Sequence, residues 1–474
     1  MKKLNYEVLR ESGYQGYILE KAPERVLQFG EGNFLRAFVD YYIDILNEKA
    51  GFNSKVTLVQ PIAAGLEEMI NEQEGLYTLY LRGFENGQKV NEKRVISCVS
   101  GCINPYEDYN ALLDCAKNPD LRFIATNTTE AGIVYDAETT FDQIPPVSFP
   151  GKLTRFLFER YQNKLPGFII LSCELIDNNG KELESCVMKY VEEWKLGEEF
   201  AAWVRDENFF CSTLVDRIVT GYPRAEVDEI NNENGYIDNL VDTGEVFGFW
   251  VIEAPQSILK EIPFDKAGLP VVVTDDHTPY KQRKVRILNG SHTSMVLAAH
   301  LAGQDIVRNC MADDVIRGYM EKAIYDEIIP TLTLPIDELK GFADSVTERY
   351  KNPFIDHQLL DIALNSTSKW RARVLPSLKE YIQKFGELPN CLTFSFAAYI
   401  AFYKKGDGAR DDEWVMEFFN EHKNDSNTQM AQAVAENERM WGEDLSKLPA
   451  FVNAVAGWMD EIDRDVYEAM KSCL

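Results

Sequence analysis

The sequence is poor in histidine, has no long apolar run and carries no excess of positive charge. Its five histidines are not spaced like a metal-binding motif such as His-Glu-x-x-His. No stretch approaches the roughly 18 apolar residues of a membrane span, and residues 1–15 lack the apolar core of a signal peptide. We therefore expect a cytoplasmic protein that is not inserted in a membrane.

Disulfide bonds and polyanionic partners are also disfavoured. The nine cysteines are odd in number, and the closest pair, Cys98 and Cys102, has neither metal-finger nor redox spacing. A reducing compartment fits this pattern. The formal net charge of −27 repels nucleic acid and anionic lipid. An anionic small molecule must then bind in a locally positive pocket, so clusters of Lys and Arg are informative.

The first half of the chain alternates short apolar runs with helical patterns, which is typical of a parallel α/β sheet. The strand candidates are residues 25–29, 55–60, 122–126, 167–172, 246–251 and 271–274. Residues 79–90, with Asn86-Gly87 as the turn, predict an antiparallel hairpin inserted in this sheet.

Beyond Tyr280, helical periodicity dominates. The helix candidates are residues 312–328, 336–349, 392–403 and 430–440. The 474 residues suffice for two domains, and no Gly/Ser linker separates the halves. We predict an α/β domain over residues 1–278 and a mostly α-helical domain over residues 279–474, packed over a shared cleft that receives the substrate.

The first strand candidate runs into residues 30–37, GEGNFLRA, and a long amphipathic helix follows to about Lys49. A dinucleotide-binding fold needs glycines here, because they permit a tight turn and let a pyrophosphate approach the helix N-terminus. Leu35 stands in the third glycine place, and an ordinary strand-to-helix turn is the alternative. The predicted contacts of a nicotinamide cofactor are Phe29, Gly30, Gly32, Asn33, Phe34, Gln60 and Thr128.

Two further segments concern the cofactor. The second strand ends at Gln60-Pro61, where neither a carboxylate nor an arginine is present, so this position does not decide between NAD and NADP. A later strand leads into the polar loop 126–132, TNTTEAG, at the edge of the sheet where ligands of open α/β folds bind. This loop either lines a nicotinamide site or is a plain turn. The fold class we predict is a Rossmann-type domain with an inserted hairpin, followed by a mostly helical substrate domain.

The most informative segment is residues 281–292, KQRKVRILNGSH. On an α-helix with about 100° per residue, Lys284, His292 and Asn289 lie near 0°, 80° and 140° on one broad face. Lys284 and His292 are then roughly 12 Å apart along the axis. Both reach one carbonyl only if the side chains converge or if Gly290 breaks the helix.

These residue types match the needs of a ketone reductase, which requires a proton donor and hydrogen-bond donors for the nascent alkoxide. Lys284 can supply the proton, and Asn289 and His292 can polarise the carbonyl. The alternative is a solvated basic helix face in which Asn289-Gly290 forms a turn.

The spacing K-x4-N-x2-H of Lys284, Asn289 and His292 resembles the catalytic motif of the mannitol dehydrogenase family, the polyol-specific long-chain dehydrogenases. Further similar segments are residues 75–79, 128–132, 210–218 with the V-D-R-I sequence, and 274–276. The resemblance implies a metal-independent enzyme with NAD as cofactor. It also places Asp216 and Arg217 in a conspicuous motif. These residues either orient the site or hold the domains together, and we favour the second, structural role.

Within the family, residues 28–38 and 173–180 resemble the tagaturonate reductase branch. Leu35 and Phe38 occupy positions where mannitol dehydrogenases and fructuronate reductases usually have histidine. Glu174-Leu175 replaces the usual Asp-Asn, so the second asparagine for the oxyanion is missing. Glu174 is predicted to contact the cofactor or the substrate.

The resemblance implies reversible hydride transfer from NADH to the keto carbon of D-tagaturonate, with Lys284 as the general acid and Glu130 as a proton relay. The carboxylate of the substrate needs cations, and the cluster 369–373, KWRAR, supplies Lys369 and Arg373. A surface helix with paired charges is the alternative reading of this cluster. The expected partner is a small hexuronate, rather than nucleic acid or a membrane, and the sequence leaves the oligomeric state open.

Four other functions remain as alternatives. A fructuronate reductase or a mannitol-type polyol dehydrogenase would use the same motif. A metal-dependent sugar-acid epimerase would need Asp275, Asp276, His277 and His292 as ligands. A nucleotide-binding sensor would retain the Rossmann domain without catalysis, but it has no need of the Lys-Asn-His set.

Overall fold

The computed structural model describes residues 1–85 and 87–474 and divides into two compact units. Unit 1 comprises Met1–Gly83 and Lys89–His277, and unit 2 comprises Phe84–Gln88 and Thr278–Leu474. Within the described ranges, no helix is both long enough and apolar enough to cross a membrane.

Unit 1 contains an eight-stranded sheet. Its strands are β1 Glu24–Phe29, β2 Lys55–Val59, β5 Val99–Ile103, β6 Phe123–Thr126, β7 Ile169–Ser172, β8 Phe209–Asp216, β10 Phe249–Glu253 and β11 Val271–Thr274. Their order is β11-β10-β8-β7-β6-β1-β2-β5. Each neighbouring pair along the sheet from β5 through β2, β1, β6 and β7 to β8 is parallel, whereas β10 is antiparallel to β8.

The parallel strands follow the dinucleotide-binding order. Taken in chain order as first to sixth, β1, β2, β5, β6, β7 and β8 lie across the sheet as 3-2-1-4-5-6. The order reverses between β1 and β6, and the crevice at such a switch point, outside the carboxyl ends of the strands, is where these sheets bind ligands. The predicted Rossmann-type sheet is confirmed.

The sheet is buried on both faces, as its continuous apolar runs require. Successive residues of one strand enter opposite cores: Ile169 and Leu171 pack in one cluster and Ile170 in the other. The helices of unit 1 supply the remaining core residues. They are α1 Tyr6–Glu11, α2 Asn33–Leu35, α3 Tyr41–Ala50, α4 Glu67–Glu72, α5 Tyr109–Cys115, α6 Phe149–Gln162, α7 Asn179–Glu193, α8 Glu198–Glu207 and α9 Val227–Asn234, with a 3-10 turn at Gln256–Lys260.

The predicted hairpin exists, but it is not inserted in the large sheet. Strands β3 Tyr77–Glu85 and β4 Gln88–Ile96 form a separate sheet of order β4-β3-β9, in which β9 Asp242–Glu245 is parallel to β3. The edge of β2 is taken by β5 instead. The predicted turn residue Asn86 lies outside the described residues.

The strand predicted at residues 246–251 is also wrong in its bounds, because β9 ends at Glu245 and β10 begins at Phe249. Arg217 explains the interruption. Its guanidinium donates hydrogen bonds to the carbonyls of Phe247 (3.0 Å) and Val246 (3.3 Å), so these carbonyls are not available to a neighbouring strand.

The helix after β1 contains a π-helical turn, Arg36–Asp40, between α2 and α3. A π turn leaves the ordinary α-helical hydrogen bonds incomplete, and three buried side chains donate to its carbonyls. The bonds run from the Tyr77 hydroxyl to Arg36 (2.8 Å), from Arg217 to Ala37 (2.6 Å) and from the Cys98 thiol to Asp40 (3.2 Å). Arg217 therefore has a structural role within unit 1, whereas the predicted role in holding the domains together stays a prediction.

Asp40 is a fully buried carboxyl at the end of this turn. Its Oδ2 accepts hydrogen bonds from Tyr77 (3.2 Å) and Gln28 (3.4 Å), whereas Oδ1 has no hydrogen-bond partner among residues 1–85 and 87–474. Burial raises the pKa of Asp40 to about 7. The folded protein therefore holds a proton here that the unfolded chain, with an ordinary aspartate pKa near ~4, loses earlier.

Asp40→Asn is expected to reduce the pH dependence of stability. Because the folded pKa of Asp40 is raised, the free energy of unfolding falls as pH increases from about 4 to about 7, by at most ~1.4 kcal/mol per pH unit for one group. An amide removes this contribution, so the loss in Tm between pH 5 and pH 8 should be smaller in the variant. The exposed Asp407→Asn is the control, and equal losses in all three proteins would contradict the prediction.

Unit 2 is built from helices, as predicted. They are α10 Thr278–Arg283, α11 Gly290–Leu301, α12 Val307–Ala312, α13 Asp314–Lys322, α14 Ile336–Tyr350, α15 Leu359–Ala363, α16 Ser366–Arg373, α17 Leu375–Phe385, α18 Asn390–Lys405, α19 Glu413–Glu421, α20 Asn427–Glu436, α21 Glu438–Trp441, α22 Phe451–Arg464 and α23 Val466–Lys471. π turns span Lys284–Asn289 and Ala323–Ile328, and 3-10 turns span Ile329–Thr331 and Leu445–Lys447. Helices α11 and α18 are buried along most of their lengths and form the centre of the unit.

Candidate active site

The loop after β1 has a backbone conformation at residue 30 that requires glycine. Gly30 has φ 121°, and a Cβ there would lie 3.0 Å from the carbonyl oxygen of Asn127 and 2.9 Å from Leu35. The turn therefore excludes other residues, since this φ is also unfavourable for them. Leu35, in the place of the third glycine, packs against Gly30.

Gly32 is the N-cap of the helix that begins at Asn33, and a Cβ on Gly32 would meet no described atom within 4 Å. Open space in front of free helical N–H groups fits the pyrophosphate of a dinucleotide. Asn33 itself accepts a hydrogen bond from Arg36 (2.6 Å), which fixes its side chain beside this space.

Two of the predicted cofactor contacts have other roles. The Phe29 ring is fully buried and packs against Phe149 (centroids 5.2 Å apart), so the ring faces the core and the predicted cofactor contact of this residue stays a prediction for its backbone. The Gln60 amide shapes the loop after β2: it donates to the carbonyl of Ile62 (2.9 Å) and accepts from the backbone of Glu67 (3.2 Å).

A cavity of about 310 Å³ opens at the carboxyl ends of the parallel strands. Its wall is mostly apolar with a few polar groups, which suits a nicotinamide ring with its carboxamide. The lining residues are Phe34, Asn127, Thr129, Glu130, Leu175 and Val215. The polar loop 126–132 therefore lines a cavity and is more than a plain turn, and Glu130 is exposed in it.

The buried side chain of Glu174 supports this loop through hydrogen bonds. Its carboxylate accepts hydrogen bonds from the Thr126 hydroxyl (2.9 Å), the Thr128 backbone N–H (3.0 Å) and the Thr128 hydroxyl (3.1 Å). The side chain is 2% exposed, and burial raises its pKa. Thr128 and Glu174 thus contact each other, and the structure gives Glu174 the role of supporting the loop, whereas its contact with a ligand stays a prediction.

In unit 2, Lys284 and Asn289 are the first and last residues of a π turn. The backbone N–H of Gly290 donates to the carbonyl of Val285, five residues earlier, and Gly290 has helical φ and ψ. Gly290 therefore neither breaks the helix nor caps a turn, so of the two conditions stated above the convergence of the side chains is the one that remains. Because a π turn has more residues per turn than an α-helix, residues five apart lie closer to one face than the α-helical angles indicated.

Gly290 also lets another helix approach this turn. A Cβ at Gly290 would lie 3.0 Å from the carbonyl oxygen of Arg373, the last residue of α16. Arg373 in turn donates a hydrogen bond to the Thr293 hydroxyl (3.4 Å). The predicted substrate cluster on α16 is thus brought directly against the segment that carries Asn289 and His292.

His292 is buried and held by an aromatic stack. Its ring lies 3.9 Å from that of Tyr350, nearly parallel at 13°. The Tyr350 hydroxyl hydrogen-bonds to the carbonyl of Leu288 (2.6 Å) and to the Ser291 hydroxyl (2.9 Å), which anchors the stack to the same helix. The His292 Nε2 has no hydrogen-bond partner in the described part of the chain. An unsatisfied buried polar atom of this kind is expected where a ligand binds.

Cationic side chains surround His292. Burial, and then the charges of His357, Arg349 and Arg373, lower the pKa of His292 well below its usual value. The imidazole is therefore neutral near pH 7 and can exchange hydrogen bonds with a ligand. Burial and the neighbouring Arg373 likewise lower the pKa of Lys369, while Asp411 opposes them.

The two arginines near Lys284 are buried ion-pair partners. Arg283 donates to Glu338 (2.8 Å), and Arg286 forms a two-point bond with Glu380. Their side chains are 4% and 7% exposed, so they do not form the solvated basic face of the alternative interpretation.

The structure gives no support to the proposed set of metal ligands. His277 bonds through Nδ1 to Glu253 in unit 1, and His292 belongs to unit 2. Among the described residues, no three His, Cys, Asp or Glu side chains are grouped as a metal site would require.

Tyr350 and His357 are the neighbours of His292 that sequence reasoning missed. Both lie more than fifty positions beyond the motif, and neither belongs to a recognisable pattern. Only the close packing of α11, α14 and the segment before α15 brings them to the imidazole.

Comparisons with known proteins cover both units. A family model of the mannitol dehydrogenase Rossmann domain matches residues 24–266, and one of the mannitol dehydrogenase C-terminal domain matches residues 276–463. The chain is 48% identical over 456 residues to an altronate oxidoreductase of Klebsiella pneumoniae (strain 342), covering 93% of this chain and 94% of that protein. An altronate oxidoreductase of Escherichia coli O7:K1 is 46% identical over 470 residues, 95% of this chain and 96% of the relative.

Solved structures share the fold. A D-sorbitol dehydrogenase in substrate-free form has a TM-score of 0.83 at 20% identity and covers 99% of this chain and 100% of that chain. Pseudomonas fluorescens mannitol 2-dehydrogenase, in a ternary complex with NAD and D-mannitol, has a TM-score of 0.70 at 23% identity, with 99% of each chain covered. The resemblance predicted from the motifs is confirmed, and the chain belongs to the mannitol dehydrogenase family of oxidoreductases.

Proposed function

We propose that the protein is an NAD-dependent oxidoreductase that interconverts D-tagaturonate and D-altronate. The observation that carries this proposal is the neutral His292, whose Nε2 has no hydrogen-bond partner among the described residues, near Arg373, which in turn neighbours Lys369. These cations lie in a chain with a net charge of −27. A keto hexuronate combines a carbonyl and a carboxylate, which match these two features. The relatives named altronate oxidoreductase, 46–48% identical, support the same substrate class.

NAD is the proposed cofactor, bound by the domain of residues 1–278. Gly30, Gly32 and Asn33 would receive the pyrophosphate. Phe34 lines the cavity that suits the nicotinamide, and Thr128 lies in the chain between its lining residues Asn127 and Thr129. When bound, NADH supplies the hydride that converts the keto carbon to a secondary alcohol. The walls of a closed cavity would keep water from the hydride donor.

The helical domain of residues 279–474 would supply the acid–base chemistry. Lys284 gives a proton to the carbonyl oxygen as the hydride reaches the carbon, so that the ketone becomes an alcohol without a free alkoxide. Asn289 and His292 hold that oxygen by hydrogen bonds, and Glu130 relays protons to solvent. In the reverse direction, Lys284 removes the hydroxyl proton.

Lys369 and Arg373 would bind the carboxylate of the substrate. They are four residues apart on α16 and therefore on one face of the helix. Lys369 donates to the carbonyl of Ile362 (2.8 Å), which directs its ammonium group. Glu174 would act on the ligand through the loop that it supports.

We also infer a cytoplasmic location. Eight of the nine cysteines are buried, none is in a disulfide within the described ranges, and burial raises the pKa of most of these thiols, for example that of Cys115 to about 12. Thiols in this state suit a reducing compartment.

An NADH-oxidation assay with D-tagaturonate, D-fructuronate and D-fructose tests the proposal. We expect the highest kcat/KM with D-tagaturonate, and Lys369→Ala should raise KM for both hexuronates by roughly 10- to 100-fold, the worth of a charged hydrogen bond. The KM for the neutral D-fructose should change little. The exposed Lys340→Ala is the matched control. Preference for D-fructose, or equal effects of Lys369→Ala on acid and neutral substrates, would contradict the proposal.

A further inference from the structure

His357 is a second histidine in the substrate cluster of unit 2. Its ring is perpendicular to that of His292, with centroids 5.4 Å apart and an interplanar angle of 89°. The segment that carries it is fixed at both sides: the backbone N–H of Val307 donates to the His357 carbonyl (3.0 Å), and α15 begins two residues later. The ring is partly buried, so one side of it is accessible.

The charges around His357 come from four helices. Lys369 and Arg373 belong to α16, Arg349 to α14, Asp361 to α15 and Arg308 to α12. Arg308 is neutralised by Asp356 (2.6 Å), and Asp361 lies 3.8 Å from Arg410. Lys369 acts electrostatically on His357, and Arg373 acts on both His292 and Lys369, with Asp411 as the acidic group near Lys369. Positive charge from α16 therefore lies close to the two imidazoles and attracts an anion.

We propose that His357 is a third ligand of the substrate carboxylate, beside Lys369 and Arg373, and that it takes up a proton when the carboxylate binds. This inference rests on the proposed function, because it assigns a subsite for a hexuronate. It makes His357 a specificity-determining residue for acids over neutral sugars.

The physical reason is that the pKa of His357 differs between the free protein and the complex with a carboxylate. In the free protein, burial lowers the pKa of His357 and Lys369 lowers it further, against the opposing effect of Asp361. A carboxylate placed against the ring favours its charged form. Binding then couples to the uptake of a proton from solvent, and affinity for the acid falls as pH rises through the pKa of His357 in the complex.

A lysine or arginine at this position would instead remain charged in the free protein. Two permanent cations are already present in Lys369 and Arg373, and a third would add repulsion that is relieved only by the substrate. A histidine avoids this repulsion in the free state and still supplies a charged donor in the complex.

Isothermal calorimetry of D-altronate binding to the NADH-saturated enzyme tests the proposal, since this combination cannot react. Titrations near pH 7 in phosphate and Tris buffers, which differ in ionisation enthalpy, give the number of protons taken up. We expect net uptake in the wild type and its loss in His357→Gln, with Kd for D-altronate raised roughly tenfold, the equivalent of one charge-assisted hydrogen bond. The Kd for NADH should be unchanged, which also shows that the variant is folded.

The control is His422→Gln, since His422, the C-cap of α19, pairs with Asp425 and lies outside the cluster. If His357→Gln unfolds, His357→Asn is the second variant. Equal proton uptake and equal Kd in the wild type and the His357 variant would overturn the inference, even with normal reduction of D-tagaturonate. A wild type that neither binds D-altronate nor reduces D-tagaturonate would instead overturn the proposed function.

Discussion

Lys284→Ala is expected to lower kcat for D-tagaturonate reduction by roughly 10²- to 10⁴-fold, the usual worth of a positioned general acid. The Kd for NADH, measured by fluorescence titration, should remain nearly unchanged, because the glycine loop belongs to unit 1. The π turn places the amine of Lys284 on the helix that carries Asn289 and His292, and no other residue of that turn carries a transferable proton.

Lys284→Arg separates charge from proton transfer. Arginine retains the positive charge but does not release a proton near neutral pH, so its kcat should be almost as low as that of the alanine variant. Recovery of kcat in Lys284→Arg would show that a fixed charge, and not a proton donor, is required. Near-normal kcat in Lys284→Ala would remove this residue from the mechanism.

His292→Ala is expected to lower kcat by about 10²- to 10³-fold, which is typical for the loss of one donor to a developing oxyanion. The imidazole is buried against Tyr350, and its Nε2 has no hydrogen-bond partner among the described residues. Under the proposed function, the truncation removes a donor to the substrate oxygen. The measurement is steady-state kinetics together with NADH titration, in which Kd should not change.

The pH profile distinguishes this role from acid–base catalysis by His292. Because burial and nearby cations keep the pKa of His292 well below its usual value, the ring is neutral near pH 7. The wild type and the variant should therefore have kcat profiles of the same shape at different heights. A limb near pH 6.5 that disappears in His292→Ala would contradict this role. The control is His300→Ala, since His300 contacts Phe402 at the far end of α11.

The sheet was predictable because its chemistry is local. The apolar runs at residues 25–29 and 271–274 correspond to β1 and β11, and the glycines at 30 and 32 lie where a dinucleotide fold needs them. Continuous apolar strands and a G-x-G turn are dictated by burial and by backbone angles, both of which are visible in a single sequence.

Contacts between distant segments were not predictable. The inward orientation of Phe29 depends on α6, and the support of the 126–128 loop by Glu174 depends on how β6 and β7 pair. The break after β9 arises because Arg217 binds two carbonyls there. Each of these features needs a partner far away in the chain, and residue spacing carries no information on it.

The angles predicted for Lys284, Asn289 and His292 around the helix axis were wrong for a different reason. They assumed about 100° per residue, whereas Lys284–Asn289 is a π turn. The sequence contains no glycine or proline between these residues that would signal the change. The local spacing therefore identified the three groups of the motif, but the angles assigned to them were those of an α-helix and not those of a π turn.

The wide turn at Lys284–Asn289 makes the number of residues as important as their identity. A π turn is equivalent to an α-helix with one residue added. Deleting one residue between Lys284 and Asn289 would restore regular coiling and rotate everything downstream by about 100° relative to the amine. The relative orientation of the Lys284 amine, the Asn289 amide and the His292 imidazole therefore depends on the number of residues between them. Substitutions that preserve this number leave the alignment of the three groups intact.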